Sequence, residues 1–223
     1  AFAGWPNQAI AFPTYPKPVR QTNKREKYIN MPAQQVNMYL GHLGVTRTNP
    51  DYYALQVLDT ILGGGAGFTA RIPQRLRDDL GLAYTTFASI TMTAGLDPGR
   101  FISFIGTSPE NMKLAIEGLV NEIRRIIEEP VTVEELRDAK DYLTGSFVFA
   151  FESSAQISRF LVHAEIYGLG FDYVQKYPDY IHAITVKDVS RAAKLYLDSE
   201  NYTLVVVGPV AGNGNVSTQE SAK

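Results

Sequence analysis

The segment that decides the fold runs from Gly63 to Tyr84 and reads GGGAGFTARIPQRLRDDLGLAY. Upstream of it, apolar residues recur at helical spacing between Ala54 and Leu62, so an amphipathic helix is predicted to lead into the glycines. A second helix is predicted from about Thr69 to Leu80. Gly81 ends this helix, because glycine adopts left-handed backbone conformations without steric cost.

Strands are predicted on both sides of this helix pair, at residues 27–30, 36–45, 82–93, 100–107 and 202–207. Four later helices are predicted. The first follows Ser108-Pro109, and the second runs from Thr132 to about residue 152, with Glu135 completing a capping box. The third covers residues 154–167, and the fourth runs from after Thr185 to residue 197. The last strand is an uninterrupted apolar run, which predicts a central, covered position. Because strands and helices do not alternate regularly, we predict an α+β fold with a mostly antiparallel sheet and helices packed on one face.

Three regions are expected along the chain. Residues 1–23 contain four prolines and little periodicity, which predicts an extended N-terminal linker. Residues 24–209 are expected to form one domain, and residues 210–223 a flexible polar tail. Since the first residue is Ala rather than Met, we also expect the chain to be a piece of a longer protein.

Composition narrows the classes of function. The chain has 223 residues, of which 45% are hydrophobic and 20% charged, with a formal net charge of -2, so neither nucleic acid nor an anionic membrane surface is expected as a partner. It has no cysteine, which excludes thiol catalysis and thiolate zinc ligands. No run of 18 apolar residues occurs, and a membrane-spanning helix is not predicted. Localisation stays open.

No metal site is predicted within the chain. Its histidines are His42, His163 and His182, and no two of them lie one helical turn apart. His163 and Glu165 are two positions apart, which places them on different sides of a helix. The string His-x-x-Glu-His does not occur. We therefore interpret the three histidines as packing or surface residues.

Other patterns favour ordinary structural roles. The motif G-x-S-x-G is absent, and the acid pairs Asp78-Asp79, Glu128-Glu129 and Glu134-Glu135 are interpreted as solvated helix faces. Gly65-x-Gly67-x-x-Ala70 matches a relaxed dinucleotide fingerprint, which leaves a nucleotide-binding module as one hypothesis. That fingerprint needs a preceding strand, whereas a helix is predicted here.

Arg77 and Tyr84 lie seven residues apart, a spacing that by itself favours no chemistry. Arg77 is placed in the last turn of a helix, where its charge suits the helix dipole and where Asp78 could pair with it. Tyr84 enters a predicted strand and suits a half-buried position. On spacing alone, structural roles are favoured for both residues.

The segment from Gly63 to Tyr84 resembles the C-terminal, non-metal half of the pitrilysin/insulinase/processing-peptidase family of zinc peptidases. That family keeps a Gly-Gly-Gly-Phe-Ser-Arg-Leu-like run before Arg-x-x-x-Gly-Leu-Ala-Tyr. The resemblance extends over about residues 24–209 and implies the same α+β architecture. The chain departs from the pattern in reading Thr69-Ala70-Arg71-Ile72. Only the fine geometry of the loop is affected, because Thr can replace Ser as a cap.

The resemblance implies catalytic roles for Arg77 and Tyr84, as donors that face a zinc site and stabilise the oxyanion of peptide hydrolysis. It also implies that Gly63, Gly64, Gly65 and Phe68 accommodate a peptide substrate. Zinc and the general base are expected on a homologous partner half, in the same polypeptide or on a separate subunit. No cofactor and no activity are expected from this chain alone. The alternative is a non-enzymatic interaction subunit of the same fold, like the core subunits of the respiratory cytochrome complex.

Overall fold

The computed structural model describes Gly4 and residues 15–64, 70–83 and 85–210. The strands of this part of the chain are β1 (Arg25–Asn30), β2 (Val36–Leu43), β3 (Thr86–Ser89), β4 (Arg100–Thr107) and β5 (Thr203–Gly208). The helices are α1 (Tyr52–Asp59), α2 (Arg71–Pro73), α3 (Met112–Glu128), α4 (Val133–Ser146), α5 (Ser154–Ile166), α6 (Tyr173–His182) and α7 (Val186–Tyr196). Helices α1 and α2 each continue into π-helical segments, Thr60–Gly64 and Gln74–Asp79. Short 3₁₀ segments, Pro109–Asn111 and Phe147–Phe151, precede α3 and follow α4.

The described strands form one sheet with the order β1-β5-β2-β4-β3. Strand β1 pairs with β5 in parallel, whereas the β5–β2, β2–β4 and β4–β3 pairs are antiparallel. The longest pairing joins β2 to β4, from Val36 opposite Thr107 to Leu43 opposite Arg100. The predicted α+β fold with a mostly antiparallel sheet is therefore confirmed.

One face of the sheet carries the core. On β2, Val36, Met38 and Leu40 are fully buried and alternate with residues that point to the other side. Helix α3 packs Leu119 and Ile123 into the same cluster, and α1 and α7 contribute their apolar sides. Helices on one face were predicted, and the structure confirms them.

We call the opposite side of the sheet the outer face. Its larger apolar residues are Ile29, Tyr39, Phe87, Ile102, Phe104, Val205 and Val207. The last strand was expected to be central and covered. Strand β5 does lie inside the sheet, paired with β1 and β2, but only one of its faces is buried. On β5, Leu204 and Val206 are buried in the core, whereas Val205 on the outer face stays partly exposed.

Several predicted boundaries shift for local reasons. Helix α1 begins at Tyr52, ahead of the predicted apolar stretch 54–62, and the Asn49 side chain accepts a hydrogen bond from the Asp51 amide in the turn before the helix. The long helix predicted to reach residue 152 ends at Ser146 and continues as a 3₁₀ segment. The strand predicted over 82–93 is only Thr86–Ser89, because the amides of Ile90 and Thr91 bind the Asp59 carboxylate.

Helix α6 was not predicted, because Pro178 interrupts its sequence. Its apolar side is formed by Tyr173, Tyr177 and Ile181, which recur four residues apart and are buried. The capping boxes at Thr132 and Thr185 are present, and the first confirms the predicted start of α4.

Most of the predicted linker and tail, residues 1–3, 5–14 and 211–223, lies outside the described residues. Near its end the linker contacts the domain, since Arg20 donates hydrogen bonds to the carbonyls of Leu195 and Tyr196 at the end of α7. The division into three regions stays a prediction. In the part of the chain that the structure describes, no helix is both long and apolar enough to cross a membrane.

Candidate functional site

The glycine run begins in the π-helical turn Thr60–Gly64, which packs against β3. A Cβ on Gly63 would lie 2.6 Å from the Ala88 amide nitrogen and 2.9 Å from the Ala88 Cβ, so only glycine permits this approach. Gly63 is buried, and Gly64 is exposed. The other two predicted substrate-binding residues, Gly65 and Phe68, lie outside the described residues.

Asp59, the last residue of α1, ties this turn to the end of β3. Its carboxylate accepts four hydrogen bonds from three consecutive residues, Ser89, Ile90 and Thr91. The donors are the Ser89 hydroxyl at 2.6 Å, the Ile90 amide at 2.7 Å, and the Thr91 amide and hydroxyl at 2.9 and 2.6 Å. Because these two amides bind a side chain, β3 stops pairing at Ser89.

Asp59 is the site residue that the sequence-based reasoning missed. Burial raises the pKa of its carboxyl group, and the hydrogen bonds from Ser89, Thr91 and Ile90 oppose that effect. One signal was available in the sequence. An acid lies inside the apolar stretch ALQVLDTIL, at the C-terminal end of a helix, where the dipole disfavours negative charge.

Arg77 lies in the second π-helical segment, Gln74–Asp79. Its Nε and Nη2 atoms donate to the two carboxylate oxygens of Asp78, at 2.8 and 3.2 Å. The Arg77 hydrogen bonds hold the pKa of Asp78 below its usual value. The Arg77 side chain is 23% exposed, so it reaches the surface. Its hydrogen bonds to Asp78 hold the guanidinium in one orientation. Its position near the helix end and its pairing with Asp78 agree with expectation.

The backbone after Arg77 is held at several points. Gly81 has a φ of 60°, as predicted for the glycine that ends this helix, and its amide donates to the Arg77 carbonyl at 3.1 Å. The Leu82 amide donates to the Leu76 carbonyl at 2.8 Å, and the Thr107 hydroxyl donates to the Leu82 carbonyl. The backbone is therefore held as far as Leu82. Tyr84 itself lies outside the described residues, and its role stays a prediction.

An ion pair connects α2, which follows the glycine run, to α4. The Arg71 guanidinium binds both carboxylate oxygens of Glu135, at 2.6 and 2.9 Å, and the Arg71 side chain is buried. Glu135 also accepts from the Thr132 amide in the capping box. Burial raises the pKa of Glu135, but the hydrogen bonds from Arg71 and the Thr132 amide, together with the charges of Arg71 and Arg125, outweigh that effect and lower the pKa. The interpretation of Glu135 as part of a solvated face is therefore wrong.

The histidines occupy separate places. His42 is buried, accepts a hydrogen bond from the Asp198 amide at Nε2, and therefore donates from Nδ1 to the Leu43 carbonyl. Burial lowers the pKa of His42, so its ring is neutral. His163 on α5 and His182 on α6 are exposed. Within the residues that the structure describes, no group of three or more His, Asp or Glu side chains lies close enough to hold a metal ion.

The dinucleotide fingerprint has the wrong context. Helix α1 and the turn Thr60–Gly64 lead into the glycines, where a strand would be needed. Gly65 and Gly67 themselves lie outside the described residues. The nucleotide-binding hypothesis therefore has no structural support from the elements before the glycine run.

Comparisons with known proteins agree with one another. The family model described as peptidase M16 inactive domain matches residues 1–143. The chain is 28% identical over 204 residues to an uncharacterized zinc protease of Streptomyces coelicolor, a match that covers 90% of this chain and 43% of that protein. A crystal structure of the peptidase M16 inactive domain from Pseudomonas fluorescens is similar with a TM-score of 0.80 and 27% identity, covering 90% of this chain and 47% of that one.

A protease from Helicobacter pylori shares the fold with a TM-score of 0.75 at 21% identity, over 90% of this chain and 48% of that one. The chain thus spans less than half the length of these relatives. The family match includes the glycine run, Arg77 and Tyr84, and it extends over more than half of the sequence. The chain therefore belongs to the peptidase M16 family of zinc proteases and represents its inactive domain.

Proposed function

We propose that this chain is the non-metal half of a zinc peptidase and places Arg77 and Tyr84 beside a peptide bond held at a zinc site on another half. The observation that carries the proposal is the held backbone from Arg77 to Leu82, through the hydrogen bonds donated by the Gly81 and Leu82 amides. A donor pair for a transition state needs a defined separation, and this backbone ends two residues before Tyr84 in the sequence, so we propose that it sets the separation of the two donors.

The chemistry needs donors of the kind that these residues supply. Amide hydrolysis develops negative charge on the carbonyl oxygen, and a guanidinium N–H and a phenol O–H can both stabilise it without changing protonation state. The hydrogen bonds to Asp78 keep the Arg77 guanidinium in one orientation. We propose that zinc and the general base belong to the partner half, where bound zinc would supply the attacking hydroxide.

The glycine run is proposed to accept the peptide. Gly64 is exposed at the end of the π-helical turn, directly before Gly65 in the sequence. A backbone without side chains allows an extended peptide to approach closely. Gly63 seats the turn against β3, and Gly64, Gly65 and Phe68 are proposed to contact the substrate.

The outer face supports the part of the proposal that needs a second half. Tyr39 and Ile29 are 41% and 40% exposed, and a depression of about 600 Å³ lies between Tyr39, Gly41, Ile102 and Val205. Contiguous exposed apolar surface of this kind marks contact sites. Since the relatives are about twice as long as the chain, we propose that the homologous zinc-bearing half packs against this domain.

The test uses the complete protein with both halves and measures steady-state peptide cleavage. Tyr84→Phe is expected to lower kcat by about a hundredfold to a thousandfold, because it removes one oxyanion donor worth roughly 3 kcal/mol. Arg77→Ala should lose at least as much, since it removes a charged donor. Arg75→Ala, in the same π-helical segment, and Tyr142→Phe, on α4, are the matched controls and should leave kcat unchanged.

Thermal melts of every variant separate lost chemistry from lost folding. If Tyr84→Phe and Arg77→Ala both retain more than about half of the wild-type turnover, the two residues are not the donors. In that case the chain would be a non-enzymatic interaction subunit of the same fold.

A further inference from the structure

We infer that Asp59 is a positioning residue of the proposed site, which holds the glycine turn at a fixed place against the strand that follows Tyr84. The inference rests on the proposed function. Asp59 directly precedes the turn Thr60–Gly64, and all four of its donors come from Ser89–Thr91 at the end of β3. One carboxylate therefore joins the turn that begins the glycine run to the end of β3, the strand that starts two residues after Tyr84 in the sequence.

The chemistry of the contact points to a geometrical role. Asp59 is 7% exposed, and among the described residues no Lys, Arg or His forms an ion pair with it. A buried carboxylate carries a desolvation penalty, and apolar replacements of buried charges often stabilise a fold. A carboxylate has about four acceptor sites and no donor, so it suits two amides and two hydroxyls that converge on one point. Fully satisfied buried networks of this kind fix a unique arrangement.

A second contact makes the same connection. Gly63 lies against Ala88, the residue before the first donor, with no space for a side chain. Strand β3 is in turn paired with β4, where Phe87 lies opposite Phe104. Two contacts thus fix the glycine turn and the end of α1 to β3, which belongs to the sheet. Removing the carboxylate frees one of the two contacts that seat the turn.

The expected consequence is misplacement of donors without loss of the fold. Displacement of a catalytic group by about 1 Å can lower a rate about a hundredfold. Displacement of the donors appears in kcat, because they act on the transition state, whereas displacement of the glycine turn, which is proposed to contact the substrate, appears in KM. A purely structural role would instead lower the melting temperature and the fraction of active protein, and leave kcat per active molecule unchanged.

The experiment compares Asp59→Asn with Asp51→Asn in the complete two-half protein. Asp51 lies at the other end of the same helix, where its carboxylate pairs with Arg191 and Tyr196, so it is the matched control. Asp59→Asn is expected to lower kcat about tenfold to a hundredfold and to raise KM as well, and Asp51→Asn to leave both unchanged. Thr91→Val removes one hydroxyl donor and should lower kcat about threefold to tenfold.

Combination with Tyr84→Phe tests whether Asp59 acts through that residue. In the Tyr84→Phe background, Asp59→Asn should have little further effect on kcat, because the donor that it positions is gone. Full additivity of the two changes, or an unchanged kcat in both Asp59→Asn and Thr91→Val, would overturn the inference. If Asp59→Asn does not fold, Thr91→Val is measured in its place, alone and combined with Tyr84→Phe, and the same changes in kcat support or overturn the inference. A silent Tyr84→Phe is a different result, because it overturns the proposed function and the inference with it.

Discussion

Tyr39 and Leu40 are neighbours on β2, yet they lie in opposite environments. Leu40 points to the helices and is fully buried, whereas Tyr39 points to the outer face and is 41% exposed. The same contrast extends across the sheet, from Val206 and Ile105 in the core to Val205 and Phe104 on the outer face. Apolar residues thus occupy both sides of the sheet, but the described helices that contribute to the core pack against only one of them.

The difference separates two uses of apolar side chains. The covered face stabilises the domain by burying its side chains between the sheet and helices α1, α3 and α7. On the outer face, Tyr39 contacts Phe104 at 4.8 Å between ring centroids and Phe87 contacts Phe104 at 5.6 Å, so the rings mainly contact one another. We conclude that the first face determines folding, whereas the second leaves apolar side chains exposed.

The largest expected effect lies on the covered face. Leu40→Ala should lower the free energy of unfolding by about 3 kcal/mol, because it leaves a cavity beside the middle strand of the sheet. Urea denaturation of the chain measures this change. A loss below about 1 kcal/mol would mean that the core closes around the cavity, and the contrast between the two faces would be weaker than described.

A smaller loss is expected at the glycine turn. Gly63→Ala places a Cβ against the backbone of Ala88, and the shift that it requires should cost about 1–3 kcal/mol. Gly145→Ala on α4 is the matched control, since nothing lies within 4 Å of the added Cβ and alanine favours a helix. Equal melting temperatures for the two variants would contradict the close contact with β3.

His42 gives the covered face a dependence on pH. Burial lowers its pKa below the unfolded value of about 6.5, so the unfolded state binds a proton first as the pH falls. Its contribution to stability is complete above that pH and is lost progressively below it. The free energy of unfolding should therefore fall more between pH 7.5 and 5.5 in the wild type than in His42→Gln. Parallel curves for the two proteins would show that His42 does not titrate differently on unfolding.

The smallest expected effect on stability lies on the outer face. Tyr39→Ser should change the free energy of unfolding of the chain by less than about 1 kcal/mol, since the side chain is largely exposed. The same variant should weaken association with the proposed zinc-bearing half. Analytical ultracentrifugation of the mixed halves, or limited proteolysis where they form one polypeptide, measures this. Unimpaired association would exclude Tyr39 from the contact.

Much of the fold followed from local patterns. Alternation along β2, the capping box at Thr132 and the helical spacing in α3 each depend on residues close in sequence, and the structure confirms them. Gly81 could be assigned because a left-handed residue at a helix end requires glycine.

Features that depend on distant residues could not be predicted in this way. Strand β3 ends early because Asp59 binds the amides of Ile90 and Thr91, some thirty residues away. The pairing of Arg71 with Glu135 likewise depends on tertiary packing. At the candidate site, the place of Arg77 and its pairing with Asp78 were predictable from neighbours, whereas the part played by Asp59 was not.

The parallel pairing of β1 with β5 also sets the order in which the sheet can be completed. Among the described strands β1 has β5 as its sole neighbour, and β5 lies between β1 and β2. Strands β2, β3 and β4 can pair with one another as soon as they leave the ribosome, but β1 cannot pair until β5 has been synthesised. Until residues 203–208 arrive, one edge of β2 is unpaired and open to intermolecular pairing. A chain truncated before Thr203 would therefore keep most of its helices and still be prone to aggregate.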